Sequence, residues 1–83
     1  MELKRLVWNS GKNTKLKIER GISFEAFQEK FLKDAFEIAW NPSKKHKRQK
    51  IFVVRINRRK YAVPFEEYAT FVYLHTMYEV ESP

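Results

Sequence analysis

The chain has 83 residues, enough for one domain with a single modest core, and no cysteine, which excludes disulfides, thiolate nucleophiles and cysteine-ligated zinc. Its 16% aromatic content supplies enough large side chains to fold without such staples. The formal net charge of +7 fits an anionic partner, with nucleic acid first and an anionic membrane surface or an acidic protein as alternatives.

Met1 to Trp8 carries charges but lacks the apolar run of a secretory signal, and no stretch reaches the roughly 18 apolar residues of a membrane span. No membrane partner is expected, and the expected location is cytoplasmic. Leu3 to Trp8 reads as a first strand, broken by Asn9-Ser10-Gly11. Lys12 to Arg20 reads as a helix, closed by Gly21 where a left-handed residue is wanted. Ser23 is a good N-cap for a second helix, and Glu25 in its first turn favours the positive end of the helix dipole. Phe24, Phe27, Phe31, Leu32, Ala35 and Phe36 follow three-and-four spacing, an apolar stripe that should lie on a sheet as core.

Glu37 to Trp40 reads as a strand or a helix end, stopped by Asn41-Pro42, and Ser43 to Arg48 as a polar loop. Ile51 to Ile56 is β-branched and apolar on both faces, which fits a central strand. Asn57 to Lys60 reads as a hairpin tip. Its Asn57-Arg58 pair favours a longer loop over a two-residue turn, because a type I′ turn needs positive φ at both central residues. Tyr61 to Phe65 returns, and Pro64, which cannot donate to a ladder, implies an edge position or a strand end. A turn at Glu66 to Ala69 leads to a last strand, Phe71 to Tyr78. The expected fold class is α+β: a single domain, 1–83, of β-α-α order followed by a three- to four-stranded antiparallel meander, with the helices packed on one face of the sheet.

Charge is distributed unevenly. Lys44, Lys45, Lys47, Arg48, Lys50, Arg55, Arg58, Arg59 and Lys60 follow one another with no acid between them, and these hold more than half of the 17 Lys and Arg. From Tyr61 to Pro83 there is no Lys or Arg, only Glu66, Glu67, Glu79 and Glu81 among the charged residues. Such a field gathers polyanions by counterion release.

Several segments fall together: Trp8-Asn9 with Lys12-Asn13, Glu19-Arg20-Gly21-Ile22-Ser23-Phe24-Glu25, Asn41-Pro42, Gln49 to Val54, Val63-Pro64-Phe65 and Leu74-His75-Thr76. In these the chain resembles the BrnT family of toxins from bacterial toxin–antitoxin operons, small relatives of the RelE-type ribonuclease fold. The resemblance covers Val7 to Met77. It implies a metal-independent endoribonuclease without a cofactor, held inactive in a hetero-oligomer with a DNA-binding antitoxin that carries an acidic segment. Relatives continue into a Ser-Arg-Lys type tail where this sequence runs Tyr78-Glu79-Val80-Glu81-Ser82-Pro83. The alternative is a catalytically impaired homologue that binds RNA or an antitoxin.

Metal-independent RNA cleavage needs a base for the 2′-hydroxyl proton, a cation for the phosphorane charge and an acid for the 5′-oxygen. The catalytic candidates are His75, Arg55 and Lys50. Histidine as a residue type suits proton transfer near neutral pH, which makes His75 a candidate unless it faces the core, and Arg55 can grip two phosphate oxygens unless it pairs with Glu66 or Glu67. Lys50 flanks the central strand. Lys44, Lys45, His46, Lys47 and Arg48 in the loop, and Arg58, Arg59 and Lys60 at the tip, are candidate RNA contacts, with solvated loops as the plain alternative. Tyr61 and Tyr73 are candidate stacking residues, with packing as the alternative.

Overall fold

The computed structural model describes residues 4–80, which form an α+β fold of two helices and a six-stranded mixed sheet. In chain order come β1 (Arg5–Trp8), α1 (Ser10–Arg20), α2 (Phe24–Leu32), β2 (Glu37–Trp40), a 3-10 turn (Lys44–His46), β3 (Lys50–Ile56), β4 (Arg59–Glu67), β5 (Phe71–Leu74) and β6 (Tyr78–Glu79). The sheet order is β1-β5-β4-β3-β2, with β6 continuing along β4 beyond β5.

The helix starts are set by side-chain caps. The Asn9 side chain accepts from the Lys12 N–H at 2.9 Å, so α1 begins at Ser10 and not at Lys12. Gly21, at φ 63°, closes it with its N–H on the Lys17 carbonyl. Ser23 caps α2 by accepting from Ala26. Asn13 is buried on α1 and joins the two helices: its carbonyl oxygen accepts from the Phe24 N–H at 2.8 Å, and its amide donates to Glu25 at 2.7 Å. Asn13 on one side and Phe24-Glu25 on the other are thus the two ends of one hydrogen-bonded junction, buried at Asn13 and Phe24 and open to solvent at Glu25.

Phe24, Phe27 and Phe31 of α2 pack on one face of the sheet, and Phe36, beyond the helix end, packs beside them. Leu32 and Ala35, expected in the same stripe, are exposed because α2 ends at Leu32 and the helical spacing stops there. Phe52 lies at the centre of that core, its ring 3.9 Å from Phe65, 5.1 Å from Phe27 and 5.1 Å from Phe36 between centroids. Register places Phe52 opposite Val63, and Leu74 opposite Phe65, so these residues share the helix-covered face. The opposite face carries Ile51, Val53 and Arg55 of β3, Lys60, Ala62, Pro64 and Glu66 of β4, and then Tyr73 and His75.

Several details depart from the sequence expectations. β1 pairs with β5 in parallel, so the sheet is mixed. β1 is joined to β2 through the two helices and not by a tight turn, so nothing local fixes its direction, and burying Leu6 and half of Trp8 sets it at the edge beyond β5. Pro64 sits in the interior of β4 between β3 and the β5–β6 side. Its carbonyl accepts from the His75 N–H at 2.9 Å, and its missing donor faces the chain just after β5. There the expected continuous strand, Phe71 to Tyr78, divides into β5 and β6. The register gains one residue across the break, from Phe65 opposite Leu74 to Ala62 opposite Tyr78, and the extra residue lets Met77 turn into the core. The hairpin tip is a two-residue turn after all, with Asn57 at φ 53° and Arg58 at φ 68°.

Candidate nucleic-acid interface and histidine pocket

The loop from 41 to 49 joins β2 to β3 and carries four of the nine Lys and Arg of the basic segment. Its neck is tied by Asn41, which is buried: the Asn41 N–H donates to the Gln49 carbonyl at 2.7 Å, and the Asn41 amide donates to the Gln49 side chain at 3.1 Å. The Asn41 oxygen accepts from the Ser43 N–H, the His46 N–H donates to the Ser43 carbonyl, and the Gln49 N–H donates to the His46 carbonyl. These bonds fold Lys44–His46 into the 3-10 turn, so the cations are held on an ordered element.

One groove, of about 740 Å³, opens beside this loop at the end of the helix-covered face. The basic loop forms one wall, and Glu66, Glu67 and Tyr68 form the other. Trp40 stands in it, 62% exposed, with the Lys50 ammonium 5.4 Å from the ring centroid. Lys4 donates to Glu67 at 2.8 Å, and this bond is the main cause holding the Glu67 carboxyl below its ordinary pKa.

A second cavity, of about 550 Å³, lies on the opposite face of the sheet and shares His46, Gln49 and Glu66 with the groove. His46 and His75, the chain's two histidines, both line it, together with Asn41, Pro64 and Tyr78. His75 Nε2 is buried and lies 3.2 Å from Glu66 Oε1, too poorly aligned for a hydrogen bond, so a bond there needs a small rotation of the ring. Tyr73 meets the His75 ring edge-on at 5.1 Å. The Tyr68 hydroxyl donates to Glu66 Oε2 at 2.7 Å and is the main cause holding Glu66 below its ordinary pKa, with the neighbouring His75 adding to it. The arrangement offers two imidazoles and an ionised carboxylate at one pocket, a set suited to moving protons.

The sequence-derived candidates are distributed over separate places. Lys44, Lys45, His46, Lys47 and Arg48 stay together on the loop. Lys50 lies on the helix-covered side, in register with Trp40 and Phe65, and so across the sheet from His75. Arg55 pairs with Lys60 at the far end of β3, where both line a shallow depression with Phe36 and Glu37. From Lys60 to Pro64, the β4 neighbour of His75, is about 13 Å along the strand, and His75 is also about 10 Å across from β3. Arg55, Lys50 and His75 therefore do not converge. Arg58 sits in the hairpin turn and Arg59 is the first residue of β4, 3.5 Å from Glu79. Tyr61 faces the core at 6% exposure and presents no ring to a base, whereas Tyr73 is half-buried beside His75.

Sequence reading overlooked Trp40, Glu66 and Tyr68 as site residues. A large aromatic directly before a basic loop was the one local signal for Trp40. Glu66 reaches His75 only through the β4–β5 pairing, which leaves no spacing in the sequence to notice. Among the described residues, no group of three or more His, Asp or Glu side chains is placed to hold a metal ion. Comparison with models of known protein families, with characterised proteins and with solved structures finds no match to this chain.

Proposed function

We propose that this protein binds RNA and cleaves it without a metal, as a toxin component of RelE- or BrnT-like fold that a DNA-binding antitoxin neutralises through an acidic segment. The observation that carries the reading is the meeting of His46, His75 and Glu66 at one pocket that adjoins a groove walled by the basic loop.

In the reaction, the His75 ring turns slightly to donate from Nε2 to Glu66, and its Nδ1 takes the 2′-hydroxyl proton as the 2′-oxygen attacks phosphorus. The bond from phosphorus to the 5′-oxygen breaks, and protonated His46 gives its proton to that oxygen. The products are a 2′,3′-cyclic phosphate and a 5′-hydroxyl, with one proton taken up and one released. Lys44, Lys45, Lys47 and Arg48 hold the neighbouring phosphates and stabilise the extra negative charge of the transition state.

The purified protein in EDTA should cut RNA and leave cyclic phosphate ends, and His75→Ala and His46→Ala should each slow cutting by about 10²- to 10⁴-fold. Intact RNA in the presence of well-folded protein sinks this reading. A second reading, RNA or antitoxin binding without cleavage, is favoured by the distance of Arg55 from the histidines. It is recognised by salt-sensitive RNA binding that yields no product.

A further inference from the structure

The basic groove has a property that phosphate binding alone does not need. Trp40 ends an edge strand and leaves 62% of its surface to solvent, so most of the indole is not used in packing the core. In the register, Trp40 stands opposite Lys50 and Lys50 opposite Phe65, on the helix-covered side of the sheet. The Lys50 ammonium lies over the ring at 5.4 Å, and the ring lines a groove whose long wall is Lys44 to Arg48. The groove then meets the histidine pocket at His46, Gln49 and Glu66.

We infer that Trp40 is a base-stacking platform that selects unpaired RNA: one base stacks on the indole while the adjoining phosphates lie along the basic loop and lead the strand to the histidines. The inference rests on the RNA-cleaving reading for the direction of the strand. It adds the substrate class, single-stranded RNA, and the residue that sets it. Stacking needs a base swung out of any duplex, since a paired base offers only its edge to a side chain in a groove. The Lys50 cation beside the ring and the loop cations give the site both parts of a single-strand binder, an aromatic face and a basic track. Duplex RNA can reach the cations but cannot reach the indole face.

The test uses a 2′-O-methylated oligoribonucleotide, which binds but cannot be cut by its own 2′-oxygen, offered as a single strand and as a duplex. The wild-type protein should bind the single strand more tightly. Trp40→Leu, which keeps an apolar side chain but no ring, should weaken single-strand binding by about 5- to 150-fold. Trp40→Phe should restore most of it, and neither variant should change the slope of affinity against salt. Equal binding by the leucine and phenylalanine variants overturns the inference and marks Trp40 as an apolar docking residue for a protein. Equal affinity for the duplex overturns it as well. Cleavage of unmodified RNA is measured in parallel. Cutting that is indifferent to Trp40 removes this inference and leaves the ribonuclease reading, whereas a ring-dependent preference for single strands without cutting does the reverse. If no RNA binds, both fall.

Discussion

His75 lies just beyond the end of β5, and its position shows how much one hydrogen bond can decide. Its N–H donates to the Pro64 carbonyl, which holds the imidazole on the face away from the helices, 3.2 Å from Glu66. Had the strand stayed continuous to Tyr78, the sequence would still have placed a histidine on this face, but without the bulge that brings Met77 inward. Asn13 plays a comparable part in the helices. Replacing it with Ala would strand the buried Phe24 N–H and release Glu25, at a cost of about 1–3 kcal/mol, read as a fall in Tm of about 4–8 °C per kcal/mol. The same junction predicts an acid limb. The Asn13 amide is the largest cause holding Glu25 below its ordinary pKa of 4.5, followed by a backbone N–H and the charge of Lys17. A lowered carboxylate pKa contributes stability above the ordinary value, and that contribution is lost as pH falls through the folded value. Glu25→Gln should therefore be less stable than the wild type at neutral pH, with the gap closing under acid in denaturation curves taken across pH.

At the scale of elements, the β3–β4 hairpin is locally strained and the loop from 41 to 49 is not. Asn is among the residue types that enter the left-handed region most readily, so Asn57 at φ 53° costs little, but Arg58 at φ 68° pays the Cβ cost that glycine avoids. Arg58→Gly should raise stability by about 1 kcal/mol, visible as a Tm about 4–8 °C higher. An unchanged or lower Tm would mean that the Arg58 side chain makes up the difference through its own interactions. The turn was open to misreading because its local cost is real. The long pairing from Lys50–Phe65 to Ile56–Arg59 outweighs that cost and fixes the loop at two residues. The same argument accounts for Pro64 inside β4. One missing ladder bond is tolerated because Ile51, Phe52, Val63 and Phe65 bury their side chains on either side of it.

For the whole molecule, the principal finding is that one continuous basic segment becomes two basic regions. β3 spans seven residues, about 20 Å, with the 41–49 loop at one end and Arg55, Arg58, Arg59 and Lys60 at the other. Only the loop end adjoins the histidines. Neutralising Lys44, Lys45 and Lys47 with Gln should thus reduce the salt slope of single-stranded RNA binding by about 0.7 for each phosphate that is no longer neutralised. Arg58→Gln with Arg59→Gln should leave that slope nearly unchanged. A filter-binding series across salt separates the two, and a larger effect from the tip pair would move the RNA track to the far end of the sheet. A net charge of +7 speeds encounter in either case, so the slope and not the on-rate discriminates.

The sequence by itself determined the local features: the caps at Ser23 and Gly21, the phenylalanine stripe of α2, the strand from Ile51 to Ile56 and the basic tract. These are written in neighbouring residues, as cap chemistry, three-and-four periodicity, β-branched runs and charge. Only the tertiary structure decided that β1 runs parallel to β5, that Tyr61 faces the core, that Arg55 lies far from His75, and that His46 and His75 share a pocket with Glu66. Each of these depends on strand register between segments distant in the chain. A shift of one residue in register exchanges the two faces of a strand, so the side on which a charge emerges is fixed only when the whole sheet has packed.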